Sequence, residues 1–441
     1  MDANETVSPK PTFGEALKIW FKIGCLSFGG PAGQIALMHR VIVDEKKWLP
    51  EARYLHALNF CMLLPGPEAQ QLATYIGWVL HGVRGGLAAG ILFVLPGAVV
   101  MLGLSLLYAY GRGVSAIDGA LFGIKCAVLV IVVEALIRIG KRALTSKLLA
   151  GLAAAAFVGI FFLDLPFPLI VIGAGAVGYF VARTVPEKLG VPANDNAVVP
   201  TPGRWRHAAV SVGIGVALWW TPVLMAVLVL GPHHVLVSIG LFFSKLAIVT
   251  FGGAYAVLAY MAQQAVENYG WLRAPEMVDA LGLAETTPGP LILVTQFVGF
   301  LAAFRDAAPF TPLSAGLIGA ALTLWVTFVP SMLWIIAGAP FIEELRSNRK
   351  LTGALAAITA AVVGVILNLS VWFALHVLFG TVTEMHSGPF RWYAFDTRAL
   401  DQQVVVLTAT AAILTFRFHR SLIEVIVVMA LLGIVTRGIV P

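Results

Sequence analysis

Long apolar blocks dominate this chain, and polar residues collect in the short gaps between them. A helix rises about 1.5 Å per residue, so about 20 apolar residues cross the hydrocarbon of a bilayer. On that measure the pattern predicts thirteen spans. Six precede residue 184, near 14–38, 53–82, 86–110, 115–138, 146–163 and 165–183. The stretch RTVPEKLGVPANDNAVVPTPGRWRH, rich in Pro and Asn, reads as a loop before a lone span near 207–230. Six more fall near 233–262, 275–304, 312–341, 352–379, 401–418 and 421–438. The expected fold is an all-α polytopic membrane protein.

The two sixes repeat one another. KIGCLSFGG (Lys22–Gly30) matches KLAIVTFGG (Lys245–Gly253), an offset of 223. The same offset carries Met38 to Met261, Trp48-Leu49 to Trp271-Leu272, and Pro65-Gly66-Pro67 to Pro288-Gly289-Pro290. Further on it becomes 234, pairing Pro96 with Pro330 and Gly119 with Gly353, after an insertion around FRDAAPFTPLS. Six spans return the chain to its starting side and the lone span carries it across. The second copy is therefore expected upside down, an inverted repeat with broken helices of the kind that builds many secondary transporters. Three parts follow: 1–183, the first repeat; 184–231, a polar linker with the inverting span; and 232–441, the inverted second repeat.

Composition agrees. Of 441 residues 59% are hydrophobic and 12% charged, with a mean hydropathy of +0.89, whereas a soluble domain carries about 25% charged residues. Met1–Thr12 shows no basic segment leading into an apolar one, so no cleaved signal peptide is expected. A pI of 9.3 is ascribed to Lys and Arg held in cytoplasmic loops rather than to nucleic-acid binding. With the N-terminus inside, sixteen basic residues fall in cytoplasmic segments and nine outside, favouring a cytoplasmic N-terminus and a periplasmic C-terminus. The loop from Arg40 to Arg53 argues the other way, and its Asp44, Glu45 and Glu51 suggest local pairing. Cys25, Cys61 and Cys126 have neither metal-site nor disulfide spacing.

Pro65-Gly66-Pro67 and Pro288-Gly289-Pro290 would break helices in mid-span. Such breaks are tolerated where they are buried in protein or line a wet cavity. Pro67 and Pro290 suit the first position of a resumed helix, whose free N–H groups and dipole attract an anion. SFGGP (Ser27, Phe28, Gly29, Gly30, Pro31) and TFGG (Thr250, Phe251, Gly252, Gly253) form a second pair of breaks, or alternatively a small-residue packing face. Lys22 and Lys245 precede these motifs at equivalent positions and read as anion-attracting residues or as snorkelling ones. Lys125 is expected to pair with Glu134 or Asp118. Glu68 and Glu285 flank the two proline motifs without being equivalents, and are the candidate proton-coupling groups. Gln70, Gln71, Thr74, Thr286, Thr287, Thr295 and Gln296 supply neutral hydrogen bonds nearby.

The duplicated FGG and PGP, with Gly77-Trp78 and Gly299-Phe300 beyond them, resemble the chromate ion transporter family in its long-chain, two-domain form. The resemblance covers nearly the whole chain. It implies a bacterial inner-membrane protein that exports chromate and confers resistance, driven by the membrane potential or a proton gradient, with sulfate as competitor. Its motif residues would be Phe28, Gly29, Gly30, Pro31, Pro65, Gly66, Pro67, Phe251, Gly252, Gly253, Pro288, Gly289 and Pro290. Pro31 has Ala254 as its counterpart, so the halves need not be functionally equal. The partners implied are a chromate- or sulfate-like oxyanion and membrane lipid. No nucleic acid, metal or cofactor is expected, and a homodimer is left open.

Three other readings compete. One is a sulfate or small-oxyanion importer or exchanger on the same scaffold. An enzyme acting on a lipid-linked phosphate would need a nucleophile or metal cluster, and the spans offer none in sequence. A channel would lack saturable, counter-ion-dependent flux.

Overall fold

The computed structural model describes residues 10–185, 189, 204–251, 254–341, 349–380 and 382–439. Gly252, Gly253, Lys188, Arg346 and most of the expected polar linker (186–188 and 190–203) lie outside the described residues. Among the described residues, six helices are long and apolar enough to cross a membrane: Glu68–Gly111, Ser115–Ala143, Phe167–Thr184, Ala208–Leu230, Pro312–Gly338 and Arg349–Leu378. Shorter apolar helices run over Lys147–Leu163, Val235–Val249, Leu291–Arg305 and Gln402–Arg417. The chain is a multi-pass, overwhelmingly helical membrane protein.

Several of the helices begin at side-chain caps that the sequence supplies. Thr12 accepts the Glu15 N–H at the start of α1 (Phe13–Leu26). After α2 (Gly30–His39), α3 (Glu51–Cys61), α4 (Glu68–Gly111) and α5 (Ser115–Ala143), Ser146 caps α6 (Lys147–Leu163) through the Leu149 N–H. Next come α7 (Phe167–Thr184), α8 (Arg204–Leu230), α9 (Val235–Val249), α10 (Ala254–Gln263), α11 (Ala274–Thr286) and α12 (Val294–Arg305). Thr311 and Ser314 form a reciprocal capping box at α13 (Pro312–Gly338), with Pro312 in the first turn where it has no N–H to lose. The helical series ends with α14 (Arg349–Leu378), α15 (Gln402–Ala412) and α16 (Leu422–Ile439).

The two copies share their local layout. Each has a first helix, a break, a second helix ending in a π-helical turn (Arg40–Glu45 and Gln264–Asn268), a third helix and a PGP break. In the first copy the broken segments fold back instead of running through. Lys46, beyond α2, reaches Glu15 at the start of α1, Nζ to carboxylate 3.2 Å. His81 lies 2.9 Å from the Pro11 carbonyl. At His81 (φ −138°, ψ 24°) and Gly82 (φ 62°, ψ −155°) α4 breaks into two arms. Gly77 packs on the Gly85 carbonyl and Gly86 on the Thr74 carbonyl, so the arms are antiparallel. Segments 14–38 and 53–82, each expected to run straight across, are therefore V-shaped pairs whose outer ends meet. Hydropathy measures apolar length and is blind to this reversal.

The chain forms two compact units, each drawing on both halves. The first comprises residues 1–103, 194–254 and 287–348, the second 104–193, 255–286 and 349–441. In the first, α13 packs on α8, α9 and α12. In the second, α14 packs on α5, α6 and α7, and α16 on α5. Small residues allow close backbone approach there. Gly119 and Gly123 of α5 face Gly433 and Met429 of α16, and Gly364 of α14 meets the Ala153 carbonyl of α6, as expected where helices associate by packing rather than by hydrophobic drive.

Among the described residues, a β-hairpin lies outside the all-helical expectation. Strands β1 (Val382–Ser387) and β2 (Phe390–Phe395) pair antiparallel, Ser387 opposite Phe390. Gly388 supplies the positive φ of 59° that the two-residue loop requires.

A Cβ on Gly123 would overlap the Met429 carbonyl, whereas one on Gly103 meets nothing within 4 Å. Gly123→Ala is expected to cost about 1–3 kcal/mol by overpacking. Thermal unfolding in detergent should show a lower Tm for it and no loss for Gly103→Ala.

Candidate functional site

The breaks of both copies meet inside the first unit. α1 ends at Leu26, Gly29 and Gly30 take φ of 86° and 68°, and α2 resumes at Gly30 with Pro31 in its first turn. Gly66 (φ 131°) and Gly289 (φ 89°) turn the two PGP loops. The Gly66 N–H donates to the Thr250 carbonyl at 2.9 Å, and the Gly289 N–H to the Ser27 carbonyl at 2.7 Å. Gly66 and Gly289 are equivalents at offset 223, and so are Ser27 and Thr250. Each copy thus gives its PGP amide to the other copy's FGG break.

The proline kinks repeat the exchange. A Cβ on Gly97, after Pro96 in α4, would overlap the Pro288 carbonyl. Ser331, after Pro330 in α13, lies beside Gly66, where a Cβ would come 2.9 Å from Ser331 Oγ. Gly97 and Ser331 are equivalents at offset 234. Each PGP loop rests on the kinked helix of the other copy, and neither Gly66 nor Gly289 could take a side chain without strain.

Buried side chains complete the site. Ser27 Oγ and Thr250 Oγ1 each donate one turn back, to the Ile23 carbonyl (2.6 Å) and the Leu246 carbonyl (2.5 Å). Gln34 Nε2 donates to the Gly289 carbonyl at 2.6 Å. Gln70 links Thr74 (3.0 Å) to Ser331, whose Oγ donates to Gln70 Oε1 at 2.6 Å. Gln71 Nε2 donates to the Pro65 carbonyl (2.7 Å) and Gln296 Nε2 to the Ala98 carbonyl (3.0 Å). A cavity of about 10 Å³ is lined by Pro31, Gln34, Pro67, Glu68, Ala69, Pro290, Leu291 and Ile292, room for about one water. The first N–H groups of a helix have no intrahelical acceptor, so α4 after Pro67, and the 3-10 turn Leu291–Leu293 that leads from Pro290 into α12, bring such donors here.

Among the residues singled out in the sequence, Pro31, Pro67, Glu68 and Pro290 line this cavity, with Ser27, Pro65, Gly66, Thr250, Pro288 and Gly289 in the surrounding breaks. Gln70 is buried in the network behind it, Thr287 is buried, and Phe28 and Phe251 are half-buried. Lys22 and Lys245 are exposed on α1 and α9 and do not line the cavity. Gln34 and Ser331 carry no proline or glycine signature, and no helix pattern singled them out.

Glu285 and Lys125, singled out in the sequence, lie in the second unit. Glu285 is buried and accepts from Tyr255 Oη at 3.0 Å. Lys125 pairs with Asp279 at 3.1 Å, not with Glu134 or Asp118 as expected. Asp118 faces Arg112, and Glu134 faces Arg138. Asp279, 1% exposed, also takes Tyr108 Oη at 2.8 Å and Arg112 at 3.4 Å. A partner 154 residues away in sequence cannot be found by helical spacing. Separately, Arg391 on β2 is buried among Asp164 (2.9 Å), Glu267 (3.5 Å) and Glu384 (3.7 Å), and donates to the Ile160 carbonyl at 2.7 Å.

Interrupted helices meeting at a small buried cavity, within a multi-pass helical membrane protein, point to the class of transporters. The chain belongs to the chromate transporter family, whose pattern matches residues 14–179 and 237–434, starting 223 residues apart. It is 32% identical over 372 residues to a chromate transport protein of Pseudomonas aeruginosa, covering 82% of this chain and 81% of that one. A chromate transport protein of Cupriavidus metallidurans is 27% identical over 360 residues, covering 81% and 82%. A probable chromate transport protein of Synechococcus elongatus is 27% identical over 362 residues, covering 82% and 84%. No solved structure matches the chain.

Burial pushes the Glu267 carboxyl up to about 7 from 4.5, with Glu384 and Asp164 adding to the rise and Arg391 opposing it. The folded protein then holds a proton that the unfolded chain has released. Stability therefore falls as pH rises from about 4.5 to about 7 and is level above, by on the order of 3 kcal/mol. Glu267→Gln should remove this slope, giving a higher Tm than wild type at about pH 8 and an equal one near pH 4.5, measured by thermal unfolding in detergent.

Proposed function

We propose that this protein exports chromate across the bacterial inner membrane, conferring resistance, with the cavity at the crossed breaks as the oxyanion site. The observation that carries the reading is the exchanged pair of glycine N–H bonds, which gathers two helix starts around one buried cavity beside Glu68. A tetrahedral oxyanion suits converging N–H donors. It is larger than the present cavity, so loading requires the half-helices to part, and the closed arrangement is one stage of an alternating cycle. The inside-negative potential favours export by about 2.3 kcal/mol per charge per 100 mV. Proton exchange through Glu68 or Glu285 adds to that drive. Lys22 and Lys245, outside the cavity, then act at its approaches.

The fold-back supports a membrane arrangement of nine crossings: the arm 83–111, α5, α6, α7, α8, α13, α14, α15 and α16. On this reading the segments 233–262 and 275–304 turn back as 14–38 and 53–82 do, so that four V-shaped pairs dip in and return, two from each side, and the copies are inverted about an axis in the membrane plane. A twofold relation of this kind exchanges equivalent contacts, which is the form the Gly66 and Gly289 bonds take. Arg40, Lys46, Lys47 and Arg53 move to the cytoplasmic side and Arg273 to the outside. The basic count becomes nineteen against six, and the awkward loop before Arg53 falls into line. In the second unit, Glu267 beside Asp164 and Arg391 fits one shared side.

Purified protein in liposomes should carry chromate in a saturable manner. Gly66→Ala and Gly289→Ala force an L side chain into positive φ at about 1–3 kcal/mol of strain each. Each should lower chromate flux at least tenfold while the protein remains in the membrane; unchanged flux in both would remove the site. In a cysteine-free background, cysteines at Lys10 and Lys47 should react with an impermeant maleimide from the same face, and reaction from opposite faces would restore a straight-through first segment.

A further inference from the structure

The cavity's side chains offer acceptors where an anion site would offer donors. Gln34 is 1% exposed. Its Nε2 donates to the Gly289 carbonyl at 2.6 Å and lies 3.5 Å from the Ser27 carbonyl. The amide cannot be turned over, because Oε1 would then face two carbonyl oxygens. Oε1 is therefore held on the side away from those carbonyls, and it has no hydrogen-bond partner among the described residues. Gln34 lines the cavity together with Glu68. Gln71 and Gln296 show the same habit, giving their amide N–H to backbone carbonyls and leaving Oε1 without a hydrogen-bond partner among the described residues. Gln34 alone of the three is a lining residue.

Donors here come from the backbone at the helix starts, and side-chain acceptors come from Gln34 and Glu68. A bare dianion would satisfy the donors but set its lone pairs against Gln34 Oε1. An oxyanion bearing one hydroxyl uses both sets: its bare oxygens accept the N–H bonds, and its O–H donates to Oε1. We infer that the site selects the monoprotonated form of a tetrahedral oxyanion, with Gln34 as the specificity-determining residue; this rests on the oxyanion reading above. Hydrogen chromate loses its proton near neutrality, whereas hydrogen sulfate is a far stronger acid and is absent there. Gln34 thus separates two anions of nearly the same shape and size, because a buried acceptor left unpaired by the wrong ligand is penalised. Glu68 is the titratable group among the lining residues, with Cys61 its titratable neighbour. A proton held by Glu68 would serve both anions alike.

The test uses the full chain in liposomes with equal pH on both faces, set between about pH 6 and about pH 8. Chromate affinity should fall about tenfold per pH unit above the anion's own pKa. Sulfate, as competitor, should be at least tenfold weaker than chromate near pH 6.5 and show no comparable trend. Gln34→Met should flatten the chromate profile and narrow the gap to sulfate. Should that variant fail to assemble, the wild-type comparison of the two anions decides on its own. Chromate affinity independent of pH overturns the inference. So does an equal trend for both anions, which assigns the proton to Glu68, or an absolute need for sodium, which assigns the acceptors to a cation. Absence of chromate flux at every pH defeats the transport reading itself.

Discussion

A helix interrupted in lipid leaves amide groups that neither the helix nor solvent can satisfy, and this protein meets that constraint by exchange. The Gly66 amide is taken by the carbonyl of Thr250 and the Gly289 amide by that of Ser27. These bonds run between copies, so the break in one half holds its shape because the other half is present. The kinked helices obey the same rule, with Gly97 under one PGP loop and Ser331 under the other. Removing a bond from such a pair exposes a buried donor and an acceptor together, which is costlier than losing a solvated one. The interlock therefore fixes where four half-helix ends lie, and the cavity is what remains between them.

The scaffold is duplicated, but its chemistry is not. Gln34 has Val257 as its equivalent, Glu68 has Leu291, and Pro31 has Ala254. Polar lining side chains come from the first copy, while the second contributes Pro290, Leu291 and Ile292. The repeated motif brings one helix start from each copy to the cavity, and the substitutions between copies place its polar side chains, Gln34 and Glu68, on one side only. The ion pairs of the second unit follow the same division: Asp279 stands where the first copy has His56.

Much of this was legible in residues that act locally. Proline and glycine announce breaks because their effect on φ and on N–H donation needs no neighbour. The 223-residue register announced that the breaks come in pairs. The V-shaped course of residues 13–46 was not legible, since an apolar run looks alike whether it crosses or turns back; the Glu15–Lys46 contact decides it. The Lys125–Asp279 pair and the Arg391 cluster were hidden for a related reason. Both join residues more than a hundred positions apart, and in each the burial that matters is tertiary. The β1–β2 hairpin carried its signal in Ser387-Gly388-Pro389, overshadowed by the helical blocks around it.

The sequence by itself determined a polytopic helical membrane protein, its duplication, and the four places where its helices fail, because hydropathy and backbone stereochemistry are properties of single residues and their order. Only the tertiary structure decided that the failed helices fold back, that their amides are exchanged between copies, and that Gln34 rather than either lysine lines the space between them. Those outcomes depend on which buried donors find which acceptors, and that choice is made when distant segments pack.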